Sequence, residues 1–154
     1  MVISKEMIRE KIIVYTDGGS RGNPGPAAIG IVLNNMQGER MRSYGEIIGI
    51  ATNNEAEYQA VISALKKIKA FFGGKRAKSF TVEVNMDSEL IVRQLTGRYK
   101  IEEERLFPLF IKVWNLKMDF DRVEFHHVPR EKNREADMEV NRALDKRQSA
   151  LFKS

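Results

Sequence analysis

One stretch near the amino terminus, residues 11–30 with the sequence KIIVYTDGGSRGNPGPAAIG, constrains the fold of this 154-residue chain most strongly. It begins with a β-branched and aromatic apolar run of strand length at residues 12–15. The carboxylate of Asp17 follows, and a segment dense in glycine and proline then separates it from a second apolar run at residues 27–33. The pattern predicts a central strand that ends near Asp17, beside backbone that a ligand can approach closely. Taken alone, an Asp-Gly pair more often merely closes a hairpin turn.

The composition indicates one globular domain. A chain with 42% hydrophobic and 31% charged residues can bury one core, and 154 residues are too few for two ordinary domains. The absence of cysteine excludes disulfides and thiolate metal sites. No apolar run approaches membrane-spanning length and residues 1–10 contain no hydrophobic secretory segment, so we expect a cytoplasmic protein without a membrane partner. The net charge of +5 weakly favours an anionic partner such as nucleic acid.

Hydrophobic periodicity predicts an α/β domain with the order β-β-β-α-β-α-α-β-α. Five strands are predicted over residues 12–15, 27–35, 39–48, 79–85 and 123–128. Four helices are predicted over residues 53–72, 88–97, 102–117 and 133–144. We expect Asn53 or Asn54 to cap the first helix, and Pro108 to mark a kink or a later start of the third. An antiparallel meander extended by parallel strands gives a mixed five-stranded sheet in three layers, with helices on both faces.

Four acids stand where the pattern expects burial or a loop at the edge of the sheet: Asp17, Glu57, Asp87 and Asp137. Glu57 falls on the apolar stripe of its helix, whereas Glu55 does not. Buried carboxylates that lie together repel one another, so a cation is expected among them. With no cysteine and only two histidines the site would be all oxygen, which suits Mg²⁺ or Mn²⁺. Two such ions bridged by carboxylates and a scissile phosphate would make a two-metal hydrolase.

Four segments in this order resemble the type 1 ribonuclease H family: YTDGGSRGNPGPAAIG (15–30), ATNNEAEYQAVISAL (51–65), MDSELIVRQLTGRYK (86–100) and HVPREKNREAD (127–137). The resemblance covers about residues 12–144, and we place a ribonuclease H-like domain at 11–146, between an extension at 1–10 and a tail at 147–154. It implies an endonuclease that cuts the RNA strand of an RNA–DNA hybrid, leaving 5′-phosphate and 3′-hydroxyl ends. It also implies that the ligands of two Mg²⁺ or Mn²⁺ ions are Asp17, Glu57, Asp87 and Asp137.

The resemblance further implies contacts with the hybrid. The expected minor-groove contacts are Gly18, Asn23, Asn53 and Asn54. An amide both donates and accepts hydrogen bonds, as recognition of a 2′-hydroxyl requires. Thr52 and Ser88 are the expected phosphate contacts.

The chain departs from the best-known bacterial members of the family because it has no basic handle: Tyr99-Lys100-Ile101 leads directly into Glu102-Glu103-Glu104. It therefore resembles the compact branch, and we expect a monomer. Hybrid affinity is then expected to come from scattered cations, namely Arg21, Arg93, Arg98, Lys100, Arg130 and Lys132.

Several side chains have a plainer interpretation than contact with substrate. His127 and Arg130 are expected on the substrate-binding side, since His127 falls near the mobile catalytic histidine of some family members. His127 also shares a strand face with Phe125, which favours a core histidine somewhat over a contact with substrate, and both interpretations stay open. If His127 is a core residue, Arg130 would lie near the leaving phosphate. The aromatic residues predicted to be core rather than base-stacking groups are Phe107, Phe110 and Trp114. The basic residues predicted to form a solvated helix end rather than a DNA contact are Lys66, Lys67, Lys69, Lys75, Arg76 and Lys78.

Two alternative functions remain open at this point. One is a nucleic-acid-binding module that kept the fold without catalysis, which the presence of all four acids disfavours. The other is a nuclease of the same fold that acts on double-stranded RNA or branched DNA, against which the amides of the NNEAE segment favour the hybrid.

Overall fold

The computed structural model describes residues 10–152. Its sheet consists of β1 (Lys11–Ser20), β2 (Gly25–Asn34), β3 (Arg40–Ala51), β4 (Thr81–Met86) and β5 (Arg122–His127). The strand order is β3-β2-β1-β4-β5, with β1, β2 and β3 antiparallel and β4 parallel to both β1 and β5. The predicted mixed sheet is confirmed, and β1 is its central strand. Residues 1–9 of the predicted extension lie outside the described residues.

Five helices cover the two faces of the sheet. They are α1 (Asn53–Phe72), α2 (Gly74–Ala77), α3 (Glu89–Leu95), α4 (Phe107–Lys117) and α5 (Arg134–Phe152). Helix α1 packs on β1 and β2, and α4 packs against α1. Helix α5 packs on the opposite face against β1, β2 and β3. The three-layer arrangement is therefore as predicted, with the short α2 as an additional element. Helix α5 continues well past Leu144, so residues 147–152 of the predicted tail are helical.

The main core lies between the sheet and the α1–α4 layer. Its largest fully buried side chains include Tyr58, Phe80 and Leu65. The hydroxyl of Tyr58 donates to Gln94 Oε1 at 2.9 Å, so the one polar atom that this tyrosine brings into the core is paired.

Helix α5 approaches the sheet unusually closely because two glycines face it. Gly30 and Gly45 are cross-strand partners on β2 and β3. A Cβ atom at Gly30 would lie 2.0 Å from the carbonyl oxygen of Ala136, and one at Gly45 would lie 2.5 Å from that of Glu139. The backbone of α5 thus rests directly on the sheet, which fixes the height of its first turns.

Several boundaries differ from the predicted ones. Strand β1 does not end before Asp17, because its antiparallel pairing with β2 continues and places Asp17 opposite Gly30. Strand β3 includes residues 49–51, which the sequence suggested as a connection. A 3-10 turn at Glu104–Leu106 precedes α4, and Pro108 lies in the first turn of that helix, so the later start is confirmed rather than the kink.

Two predicted core aromatics are instead exposed. Phe107 is 44% and Trp114 is 56% exposed, whereas Phe110 is partly buried against the core as predicted. The reason is that α4 carries apolar residues on both sides, and its inner face is formed by Leu109 and Val113. None of the helices among residues 10–152 has the length and apolarity needed to cross a membrane.

Candidate active site

The parallel pairing of β1 and β4 brings two acids together. The register of these strands ends at Thr16 opposite Met86, and the next residue of each chain segment is an aspartate, Asp17 or Asp87. Glu57 reaches the same point from the start of α1. One carboxylate oxygen from each of these three acids lies within 4.8 Å of the other two.

The fourth acid arrives from the opposite face of the sheet. Asp137 lies in the first turn of α5 and lines one cleft together with Asp17, Glu57 and Asp87. Its charge is close enough to raise the pKa of Asp17, after the larger effects of burial and of Asp87. The structure thus brings together all four acids that the sequence selected.

The electrostatics of this cluster are those of carboxylates forced together away from water. Burial, followed by the negative charges of Asp87 and Asp137, raises the pKa of Asp17 from 3.8 to about 7. Burial and the charges of Asp17 and Asp87 likewise raise the pKa of Glu57 well above its ordinary value. Burial also raises the pKa of Asp87, while the guanidinium of Arg130 acts in the opposite direction. Without a cation, the cluster therefore holds protons at a pH where free carboxylates have lost them.

The donor atoms of the cluster fit a hard divalent cation. The Oε2 atom of Glu57 is buried and has no hydrogen-bond partner among residues 10–152. A carboxylate oxygen in that position is costly unless a cation binds it. Since the three nearest groups offer only carboxylate oxygen, the residues suit Mg²⁺ or Mn²⁺ better than a softer metal.

A second group of potential ligands lies on β4 and β5, where one atom from each of Glu83, Glu124 and His126 also lies within 4.8 Å of the other two. Its charges are already compensated. Lys11 Nζ lies 3.0 Å from Glu83, and Arg122 Nε lies 3.2 Å from Glu124. This group therefore does not call for a metal ion as the four-acid cluster does.

The glycine-rich segment contacts α1 more closely than the sequence suggested. A Cβ atom at Gly18 would lie 2.2 Å from the carbonyl carbon of Ala56, so a side chain there is excluded by the helix rather than by a ligand. The backbone N–H of Gly18 also donates to Glu57, which lowers the pKa of that group against the larger effect of burial. Gly18 thus holds the glutamate in place, and its contact with substrate stays a prediction.

The cap of α1 differs from the predicted one. Thr52, and neither Asn53 nor Asn54, is the N-cap: its hydroxyl accepts from Glu55 N at 3.1 Å, and the Glu55 carboxylate accepts from Thr52 N at 2.9 Å. This capping box leaves the two amide side chains free for other contacts. Ser88 caps α3 in the same way by accepting from Ile91 N at 3.3 Å.

Two of the predicted amides are linked beside the cleft, whose lining includes Asn53. Asn53 Oδ1 accepts from Ser20 N at 3.0 Å and from Ser20 Oγ at 3.1 Å. Asn23 Oδ1 accepts from Asn53 N at 3.0 Å. Asn54 is oriented the other way, since its Nδ2 donates to Glu103 Oε1 at 2.9 Å.

Comparison with known proteins identifies the family. Residues 15–143 match the reverse transcriptase-like family. One similar solved structure is that of LC11-RNase H1, isolated from compost by a metagenomic approach. It is 50% identical in sequence to this chain and superposes on it with a TM-score of 0.84. The match covers 90% of this chain and 98% of LC11-RNase H1. The chain belongs to the type 1 ribonuclease H family. LC11-RNase H1 has also been solved in complex with an RNA/DNA hybrid, and that chain is 48% identical, with 89% and 99% covered and a TM-score of 0.84.

A curated member of the family is ribonuclease HI of Halobacterium salinarum, which is 42% identical over 88% of this chain. The chain spans 65% of the length of that relative.

His127, for which the sequence favoured a core position, is not a core residue. The side chain of His127 is exposed, because β5 is the edge strand and its last residues border an open groove lined by α3 residues such as Glu89 and Arg93. The core prediction for His127 is thus wrong, and the structure does not place it among the residues that line the acidic cleft. Arg130 does line that cleft.

Two contributors to the site were missed by the sequence analysis. Asn133 is 1% exposed, and its Nδ2 donates to the carbonyl oxygen of Thr16 at 2.9 Å. A hydrogen bond from the Asn133 side chain also lowers the pKa of Asp87, which burial raises by a larger amount. The carbonyl of Asn133 also accepts from Asp137 N at 3.1 Å, so one residue ties together segments that carry three of the acids. The only sequence signal was an asparagine just before the last helix.

The second is the anchor of the glycine-rich segment. Arg21 forms an ion pair with Asp145 and donates to Gln148 Oε1 at 3.0 Å. The sequence interpretation treated this arginine as a free cation and residues 147–154 as a tail, and no local pattern links two positions so far apart.

Proposed function

We propose that this protein is an endonuclease that hydrolyses the RNA strand of RNA–DNA hybrids with two Mg²⁺ or Mn²⁺ ions and leaves 5′-phosphate and 3′-hydroxyl ends. The observation that carries the proposal is the convergence of Asp17, Glu57 and Asp87 within 4.8 Å, with a buried oxygen of Glu57 that has no partner among residues 10–152. The LC11-RNase H1 complex with an RNA/DNA hybrid supports the choice of substrate.

The residues have distinct roles in this proposal. The metal ligands are Asp17, Glu57, Asp87 and Asp137. Bound divalent cations supply an activated water and stabilise the leaving oxygen. Arg130, which lies in the cleft beside Asp87, offers positive charge to the scissile phosphate.

Recognition is assigned to residues beside the cleft. The free amide donors of Asn23 and Asn53 face the minor groove, where acceptor atoms and 2′-hydroxyls are displayed. The hydroxyls of Thr52 and Ser88 accept from the first turns of their helices, and we propose that their protons donate to phosphate oxygens. A monomeric state and a cytoplasmic location remain predictions from the sequence.

One assay tests the proposal. The protein is incubated with labelled RNA–DNA hybrid, double-stranded RNA and duplex DNA of one sequence, in Mg²⁺, Mn²⁺ or EDTA. We expect only the RNA of the hybrid to be cut, and EDTA to abolish cutting. Comparable cleavage of duplex DNA would overturn the substrate assignment, and full cleavage in EDTA would overturn the metal assignment.

A further inference from the structure

Glu103 lies where other family members carry the handle, and it contacts one of the substrate-facing amides. Its Oε1 atom accepts from Asn54 Nδ2 at 2.9 Å. A carboxylate is only an acceptor, so this bond admits one orientation of the amide. The Oδ1 atom of Asn54 is then left without a hydrogen-bond partner within residues 10–152.

The position of Glu103 is fixed by the segment that follows it. Its carbonyl accepts from Leu106 N at 3.0 Å in the 3-10 turn, and the Leu106 side chain is fully buried. Arg105 Nη1 lies 3.9 Å from Glu55, one residue after Asn54. The segment with Glu103 and Arg105 therefore contacts two adjacent residues in the first turn of α1, Asn54 and Glu55. A movement of Glu103 away from Asn54 would also disturb the Arg105–Glu55 ion pair and the buried position of Leu106.

The neighbouring amides have the opposite polarity. The oxygens of Asn23 and Asn53 accept from backbone N–H groups, which are only donors, so their free groups are NH₂ donors. Asn54 alone presents an oxygen. The start of α1 and the adjoining glycine-rich segment thus offer two donors and one acceptor in defined orientations.

This difference bears on how RNA is told from DNA. The RNA–DNA hybrid and the DNA duplex display the same acceptors in the minor groove, namely adenine N3 and thymine or uracil O2. A free amide NH₂ group at position 54 could therefore donate to the hybrid and to the DNA duplex alike. Outside guanine, the donor that an oxygen can accept from is the 2′-hydroxyl, which only RNA has. Resting on the hybrid specificity proposed above, we infer that Glu103 is a positioning residue that holds the Asn54 oxygen toward the substrate and so excludes DNA duplex.

The test compares two affinities for one enzyme. Hybrid cleavage gives KM, and inhibition by an unlabelled DNA duplex of the same sequence gives Ki. Both duplexes contain only A·T or A·U pairs, so that guanine contributes no donor. In Glu103→Gln the side chain can pair with either end of the Asn54 amide, and we expect Ki/KM to fall about 3- to 10-fold, the range of one lost hydrogen bond.

The matched control is Glu102→Gln, which removes the same charge from the neighbouring exposed residue. Loss of a charge should strengthen binding of both duplexes alike and leave Ki/KM unchanged. In an Asn54→Ala background, Glu103→Gln should no longer change the ratio, because the group through which it acts is absent.

A chemical probe gives a second readout. Hybrids with single 2′-deoxy nucleotides in the RNA strand should reveal one position that costs wild type about 3- to 10-fold in KM, and this penalty should shrink in Glu103→Gln. The inference is wrong if Glu103→Gln changes Ki/KM no more than Glu102→Gln does. It is also wrong if Glu103→Gln changes Ki/KM by the same factor in the Asn54→Ala background as in the wild-type background. If wild type cuts no hybrid at all, the proposed function itself has failed.

Discussion

At the scale of single residues, the acids at the centre of the cleft link stability to chemistry. Asp17 is 7% exposed and lies among three other carboxylates, and burial together with the charges of Asp87 and Asp137 raises its pKa to about 7. An aspartate that only closed a turn would have neither burial nor like-charged neighbours. The two interpretations of Asp17 therefore predict opposite effects of removing its charge.

Asp17→Asn keeps the shape of the side chain and removes the charge. At neutral pH without metal, we expect the variant to be more stable than wild type by at least about 1 kcal/mol and at most about 4 kcal/mol, the value for the full pKa shift of Asp17, because mutual repulsion in the folded state is relieved. It should be nearly inactive, and Mg²⁺ should raise its melting temperature less than that of wild type. Melting curves with and without Mg²⁺ and one cleavage assay measure these effects. A destabilised but active variant would contradict the metal site, and Glu104→Gln, an exposed acid outside the cleft, is the control.

The stability gap between Asp17→Asn and wild type should depend on pH. The folded pKa of Asp17 is about 7 against an ordinary value of 3.8, so the folded state keeps a proton that the unfolded state loses. Wild type therefore loses stability as pH rises from about 4 to about 7, relative to the variant. Urea unfolding in EDTA across this range should show a gap that is near zero below pH 4 and constant above pH 7. A gap that is independent of pH would show that Asp17 titrates normally.

At the scale of elements, the height of α5 above the sheet determines where Asp137 lies. The backbone of α5 contacts the strands directly at Gly30 and Gly45, because neither residue has a side chain to hold the helix away. Asp137 directly follows Ala136, whose carbonyl makes the closest of these approaches, so any change in the spacing moves this acid relative to the other three.

Gly30→Ala should therefore impair both stability and cleavage. The added Cβ would lie 2.0 Å from the Ala136 carbonyl oxygen, and overpacking of this kind costs about 1–3 kcal/mol. Gly74→Ala is the matched control, because its Cβ would meet only Lys69 Cε at 3.5 Å, an ordinary contact. Denaturant unfolding and cleavage at saturating Mg²⁺ measure the two effects. Wild-type cleavage by Gly30→Ala would show that the spacing of α5 does not set the geometry of the acids.

The sequence was most informative about elements with one apolar face. The stripe of α1 correctly selected Glu57 over Glu55 for the interior, and the order of the elements along the chain correctly predicted an antiparallel meander extended by parallel strands. The sequence was least informative where several neighbouring residues were equally suited to the same structural role, such as the N-cap of a helix. Thr52, Asn53 and Asn54 can all cap a helix, and only the capping box with Glu55 decides among them. On α4, apolar residues on both sides hide the direction of the core, which is why Trp114 was misplaced.

At the scale of the whole molecule, charge rather than a dedicated subdomain must attract the substrate. Of the six cations expected to bind the hybrid, Arg21 and Arg93 form ion pairs with Asp145 and Glu89. The remaining four form no ion pair within the described part of the chain: Arg98, Lys100, Arg130 and Lys132. Electrostatic binding should therefore involve few phosphates.

The salt dependence of hybrid binding measures that number. Four or five phosphate contacts at about −0.9 each predict a slope of log affinity against log salt of about −3 to −5. Fluorescence anisotropy with labelled hybrid in EDTA, over a series of KCl concentrations, gives the slope. A slope near −10 would indicate a much larger basic surface, and the helix-end lysines near α2 would then be the first candidates.

The contact of Arg21 with the far end of α5 has a consequence for protein engineering. Gln148 and Asp145 lie in the later turns of α5, far along the chain from the glycine-rich segment with Asn23 that they anchor through Arg21. A truncation after Lys146 would keep every acid and still release one of these two anchors. A fusion partner joined at this end without a spacer would act on the same anchors. We therefore expect changes in the later turns of α5 to alter substrate affinity from outside the active site while the four acids stay in place.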